Sequence, residues 1–382
     1  MVIEPFEVHV PESVLNDLHE RIACTRWPKT IQDSGWSYGT NIDVLRELVN
    51  YWQEKYDWRE EENRINSFPQ YHVKLDDFRI HFVHLRSKNP EAIPLIITHG
   101  WPGSFLEHLK IAPFLQDVFH IVIPSIPGYG FSDASENPGM NPRQVAKLWV
   151  RLMLALGYQK FISQGGDWGA TISTWLGLDF PQSLIGIHLN YIPGSYTPYL
   201  TEKDQLTDAE KKFLFDKEHW NETEGAYSDI QATKPQTLSY AINDSPVGLA
   251  AWILEKAHGW SHCEKSVLEH FTYEELLNNI MLYWVTESFG SSVRLYYEAR
   301  KSPVHLQPGQ QINVPCAIAR FAKEEPMPPR EWVERGYNVV RWTEFPIGSH
   351  YAPMEVPELL ANDIKESARF YFLTPSAASY TR

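Results

Sequence analysis

Apolar side chains recur at helical spacing over residues 12 to 24 and again over Ile42 to Tyr56 (IDVLRELVNYWQEKY), with a Pro/Gly-rich connection between them. Residues 1–70 therefore predict a helical preface. The period then changes. Tyr71 to Leu75 and Phe78 to Leu85 are β-rich runs joined across Asp76 and Asp77, the pattern of a hairpin. Pro94 to Thr98, His120 to Pro124 and Phe161 to Gln164 are short apolar runs that end in Gly- or Pro-containing loops, with helical patterns between them. Strand, loop and helix in alternation predict a parallel sheet. Ligands of such sheets sit beyond the carboxyl ends of the strands, so the loops starting at His99, Ser125 and Gly165 are expected to share one crevice.

From about Ser195 to Pro303 the pattern becomes one of aromatic-rich helices. Strands resume at Val314 to Arg320 and Tyr337 to Trp342, and a last helix runs from Pro357 to Phe370. Two sequential domains would leave the late strands without a sheet of their own. The expected organisation is thus an α/β core interrupted by a helical cap: preface 1–70, core 71–194, cap 195–303 and core 304–382. The preface either braces the cap or mediates a homodimer.

Composition narrows the function classes. A formal net charge of −14, with no compact Lys/Arg run, would repel phosphate backbones and anionic headgroups, which argues against nucleic acid as a partner. The cysteines, Cys24, Cys263 and Cys316, are odd in number and far apart, so reduced thiols and a cytoplasmic setting are expected rather than a disulfide framework. Met1 to Arg21 mixes apolar residues with Glu, His, Asp and Arg, and no later stretch has the length and apolarity of a membrane span. A soluble protein is expected. Neither H-x-x-H nor G-x-G-x-x-G occurs in a suitable context, so neither metal nor nucleotide cofactor is expected.

Phe161 to Gly169 reads F-I-S-Q-G-G-D-W-G, a strand running into the small-x-nucleophile-x-small spacing of a nucleophile elbow, with Asp167 where serine is commoner. Small residues are needed because a strand turning sharply into a helix forces backbone and side chains together. In isolation the segment equally fits a strand-to-helix turn with Asp167 as its N-cap. A second loop strengthens the elbow: His99-Gly100-Trp101-Pro102-Gly103-Ser104 follows an earlier strand, where this architecture draws one amide of its oxyanion hole. The backbone N–H groups of Trp101 and Trp168 would then face a developing oxyanion.

A carboxylate nucleophile leaves an ester that an activated water must clear, and that requires a base. Of fifteen histidines, His350 follows the last predicted strand and precedes the last helix, the position that the chain order nucleophile, acid, histidine gives the base. Its orienting carboxylate is expected on the loop after Val314 to Arg320, where Glu324 is the choice and Glu325 the competitor.

With these residues in place, the chain resembles the epoxide hydrolases of the α/β-hydrolase superfamily, the microsomal, juvenile-hormone and related microbial branch. The resemblance spans nearly the full length and includes the preface, His99 to Ser104, Gly165 to Gly169, Ile230 to Lys256 and Gly348 to Pro357. It implies an α/β-hydrolase fold, conversion of an epoxide and water to a vicinal diol, and two cap tyrosines that hold the epoxide oxygen. The matching positions are Tyr227 and Tyr296, with Tyr297 adjacent to the second. Ala226 stands where relatives often carry glycine. Many aromatic residues suggest an apolar or aryl epoxide. Two rivals remain at this point: a haloalkane dehalogenase, which also uses aspartate but needs no proton for its leaving group, and a catalytically silent binder of apolar ligands on the same scaffold.

Overall fold

The computed structural model describes residues 2–372. Nine strands form one sheet: β1 (Ile3–Phe6), β2 (Gln70–Leu75), β3 (Phe78–Leu85), β4 (Ile93–Thr98), β5 (Phe119–Pro124), β6 (Phe161–Gly165), β7 (Leu184–Leu189), β8 (Ile312–Phe321) and β9 (Tyr337–Phe345). Their order is β1-β2-β3-β5-β4-β6-β7-β8-β9, antiparallel from β1 to the β3–β5 pair and parallel beyond it. The hairpin turns where the period changed, with Asp76 in the left-handed region at φ 52°. The central strands are apolar on both faces, and Leu95, Ile96, Ile97, Phe161 and Ile162 are fully buried between helices.

The chain leaves β4 for β5 on one side and returns past it to β6 on the other, so the strand order reverses at β4. A crevice opens at that reversal, beyond the carboxyl ends of the strands. Residues 190–311 leave the sheet after β7 and contain the helices Asp208–Thr223, Ala226–Thr233, Pro235–Ile242, Pro246–Gly259, Tyr273–Val285 and Phe289–Ala299. β8 then pairs directly with β7, Ile187 opposite Cys316, so the late strands extend the same sheet.

The amino-terminal segment differs from the expected purely helical preface. It contains helices Glu12–Ala23, Ile42–Glu54 and Trp58–Asn66, but it begins with β1, which pairs with β2. Four residues are too few to show a period, and Pro5 disguises them as a turn; proline is tolerated because β1 is an edge strand. The three helices lie against the inserted helices. Arg21 pairs with Asp244 at 2.7 Å, Thr40 donates to the Ala251 carbonyl at 2.7 Å, and Tyr56 donates to Asn278 at 2.8 Å. No helix among the described residues is long and apolar enough to cross a membrane.

Candidate active site

The turn from β6 into the helix Asp167–Asp179 explains its own sequence. A Cβ on Gly169 would overlap the Thr98 carbonyl oxygen, and one on Gly165 would overlap the Gly169 backbone. Strand and helix therefore approach as closely as glycine allows. Gly166 occupies the N-cap, so Asp167 is not a capping residue; it is the first residue of the helix and sits at φ 45°. A non-glycine residue in the left-handed region is a strained conformation that other contacts must hold, and it aims the carboxylate out of the turn.

The amides proposed from sequence meet that carboxylate. The Trp101 N–H donates to Asp167 Oδ1 at 2.8 Å, and the Trp168 amide also bonds the side chain. Gly100 makes the approach possible, since a Cβ there would overlap the carboxylate. The other oxygen, Oδ2, lies 3.6 Å from His350 Nε2. Burial raises the Asp167 pKa, while His350 and the two amides oppose the rise.

His350 stands between two carboxylates. Its Nδ1 lies 3.1 and 3.2 Å from the two oxygens of Glu324, on the loop after β8. Glu324 is 4% exposed whereas Glu325 points to solvent, which separates the two glutamates by geometry. Burial alone would lower the imidazole pKa, but the charge and hydrogen bond of Glu324, with Asp167 and Glu107 behind them, raise it to about 9. In the free protein at neutral pH, His350 is thus an imidazolium held by Glu324 and Asp167.

Tyr227 and Tyr296 come together from helices Ala226–Thr233 and Phe289–Ala299, their rings 6.0 Å apart and edge-on. Each packs on Trp101, at 5.6 and 5.8 Å, and Tyr296 meets the Trp168 ring edge-on at 4.7 Å. Burial and the nearby Asp167 charge push the Tyr227 phenol up, and burial, Tyr227 and Asp167 do the same for Tyr296, so both are protonated donors at neutral pH. Tyr297, by contrast, is 40% exposed and carries the Lys301 ammonium on its ring.

Three neighbours escaped the sequence reading. The Trp260 carbonyl accepts the His350 N–H at 3.3 Å, and its ring lies 5.0 Å from His350 and 5.1 Å from Tyr227. Lys256, one helical turn earlier, is buried with its ammonium 4.5 Å above the Tyr227 ring. A lysine inside the apolar run Leu249 to Trp260 was the available signal. Glu107 is the third, and its surroundings are described below. Among the described residues no cluster of His, Cys, Asp or Glu could hold a metal ion.

An acid on the elbow of a mostly parallel nine-stranded sheet, with the Trp101 amide at one oxygen and a histidine at the other, defines an α/β-hydrolase fold with a carboxylate at the nucleophile position. Residues 3–108 match the family described as epoxide hydrolase N terminus, and residues 93–231 the one described as alpha/beta hydrolase fold. Epoxide hydrolase 1 of Oryctolagus cuniculus is 38% identical over 403 aligned residues, covering 95% of this chain and 88% of that protein. The chain belongs to the epoxide hydrolase family. Solved structures agree. Juvenile hormone epoxide hydrolase from the silkworm Bombyx mori is 32% identical and superimposes with a TM-score of 0.85 over 97% of this chain and 94% of its own. The Aspergillus niger epoxide hydrolase, 29% identical, gives 0.85 over 97% and 96%.

Proposed function

We propose that the protein hydrolyses epoxides to vicinal diols through an ester on Asp167, with Tyr227 and Tyr296 protonating the opened oxygen and His350, oriented by Glu324, activating the water. One observation carries this reading: the Asp167 carboxylate is divided, Oδ1 held by the Trp101 amide at 2.8 Å and Oδ2 left facing His350 at 3.6 Å. Oδ2 is the attacking atom, and Oδ1 already occupies the site where an oxyanion will form.

The resting protonation states close the cycle. Asp167 attacks as a carboxylate, the C–O bond of the ring breaks, and a tyrosine gives its proton to the alkoxide. Esterification removes the Asp167 charge that helped hold the His350 proton, so the imidazolium becomes more acidic and its proton returns to the tyrosinate. Neutral His350 then takes a proton from water. The hydroxide adds to the ester carbonyl, the Trp101 and Trp168 amides stabilise the oxyanion, and collapse releases the diol with Asp167 ionised and His350 protonated again. A halide leaving group would need no proton, so two phenols packed together on Trp101, whose amide holds the nucleophile, favour the epoxide over a haloalkane.

We further read the helices over 195–303 as a cap on a core formed by 71–194 and 304–372, braced by residues 2–70; the remaining residues of the expected units, 1 and 373–382, lie outside the described residues. The rings of Trp101, Trp168, Trp260, Tyr227 and Tyr296 around the nucleophile support an apolar or aryl epoxide. The test is one turnover in water enriched in oxygen-18, with enzyme in excess over styrene oxide. The expected diol carries no label, because its new oxygen is Oδ2 of Asp167, and the peptide containing Asp167 gains the label. Label in the first-turnover diol would mean that water attacks the epoxide directly.

A further inference from the structure

Two cavities meet beside the helix Phe105–Leu109. The larger, about 650 Å³, lies between residues 51–64, the helices Pro246–Gly259 and Tyr273–Val285, and residues 102–110. The smaller, about 20 Å³, reaches Asp167, His350 and Asn190. That volume holds about one water molecule, which needs two to four polar partners to stay. Neither Tyr227 nor Tyr296 lines it, so it adjoins the nucleophile and the base away from the phenols. Gly103, Glu107 and Tyr351 line both cavities, and Glu107 is the one that offers a carboxyl group to each.

Glu107 is placed there by its neighbours. Its side chain is 16% exposed and packs against Gly103, where a Cβ would come within 2.5 Å of Oε2. The loop is fixed from the inserted helices: Asn279 donates to the Pro102 carbonyl at 2.7 Å and Tyr283 to the Gly103 carbonyl at 2.9 Å. Among the described residues the nearest basic group is His108 Nε2 at 3.3 Å, and burial lowers that imidazole to about 3, so it brings no positive charge. Burial pushes the Glu107 carboxyl up to about 8, His350 pulling against the shift and Asp167 adding to it. The carboxyl offers a bound water an acceptor oxygen in either protonation state and an O–H donor when it holds its proton.

We infer that the 20 Å³ pocket seats the hydrolytic water and that Glu107 is its positioning residue, holding the water against His350 and refilling the pocket from the larger cavity. The inference rests on the Asp167-ester reading. The water gives one proton to His350 Nε2 and its oxygen adds to the ester carbonyl of Asp167. Its second O–H stays hydrogen-bonded to Glu107, so no proton is lost through the glutamate. Attack on the epoxide needs no water and is independent of Glu107.

The experiment follows ester formation and ester loss separately, by rapid quench and intact mass with styrene oxide, in wild type, Glu107→Leu, Glu107→Gln and Gly103→Ala. Glu107→Leu is expected to form the ester within about twofold of the wild-type rate and to lose it about 30-fold more slowly, within the range set by a positioned polar group. Glutamine keeps a donor and an acceptor and should recover ester loss to within about fivefold. Gly103→Ala, which displaces the carboxyl without removing it, should also slow loss more than formation, and it serves if the leucine variant fails to fold. Equal slowing of both steps, or glutamine no better than leucine, would overturn the assignment. Normal ester loss in Glu107→Leu would overturn it alone, whereas a wild-type protein that never carries an ester would overturn the Asp167 reading and this inference with it.

Discussion

Among the described residues two buried histidines hydrogen-bond a carboxylate through a ring nitrogen, and their surroundings differ. His188 on β7 bonds Asp363 at 3.0 Å, and Arg341 at 2.8 Å and Thr343 at 2.8 Å occupy the other Asp363 oxygen. Burial would raise the Asp363 pKa, but these partners lower it to about 2. Asp363 therefore stays ionised near neutrality. Glu324 gives both oxygens to His350, its own pKa raised by burial, and the second nitrogen of His350 faces a nucleophile and a water-sized pocket. A histidine beside a carboxylate is therefore not a catalytic signature. The difference lies in what the second nitrogen meets: His188 Nδ1 is buried without a partner, whereas His350 Nε2 faces Asp167 and the water-sized pocket.

Glu324→Gln should produce the largest effect within this comparison, a fall in turnover of roughly 10³-fold as the imidazolium loses its partner, with thermal stability changed little; steady-state kinetics and a melting curve check both. The next concerns charge. His350 should titrate near 9 in the free protein and well below that in Asp167→Asn, which mimics the neutral ester, as read by NMR of the imidazole. An unchanged titration would remove the coupling that releases the proton.

Asp363→Asn should do the reverse of Glu324→Gln, costing about 3 kcal/mol of stability by leaving buried partners unmatched, with turnover within about twofold of wild type. The sign of its pH dependence follows from the lowered pKa. Because the folded value, about 2, lies below the ordinary 3.8, Asp363 adds stability above pH 3.8 that is lost as pH falls through 2. The fall in unfolding free energy from about pH 5 to about pH 2, read by denaturant titration, should be steeper in wild type than in the variant. Glu325→Gln, a change on an exposed neighbour, should alter neither activity nor stability beyond about twofold and 0.5 kcal/mol.

The proposed catalytic group was legible in the sequence because local sterics and strand order wrote it. Gly165 and Gly169 are there for a backbone approach that no other residue permits, and His350 and Glu324 fall on loops that the strand order places at one sheet end. β1 was not legible, being four residues long and carrying Pro5. Glu107 was not legible either. In Phe105-Leu106-Glu107-His108-Leu109 it reads as the polar side of a short surface helix, and its burial comes from Gly103 and from inserted helices remote in sequence. Lys256 and Trp260 acquire their places beside Tyr227 in the same way.

The central claim is that Asp167 forms an ester which His350 is needed to clear. The direct measurement is the intact mass of His350→Gln after exposure to styrene oxide, with Asp167→Ala as control. A mass gain equal to the whole epoxide, located on the peptide containing Asp167 and missing from the control, is the predicted result. Diol production by His350→Gln at the wild-type rate with no adduct, or an adduct that survives in Asp167→Ala, would contradict it.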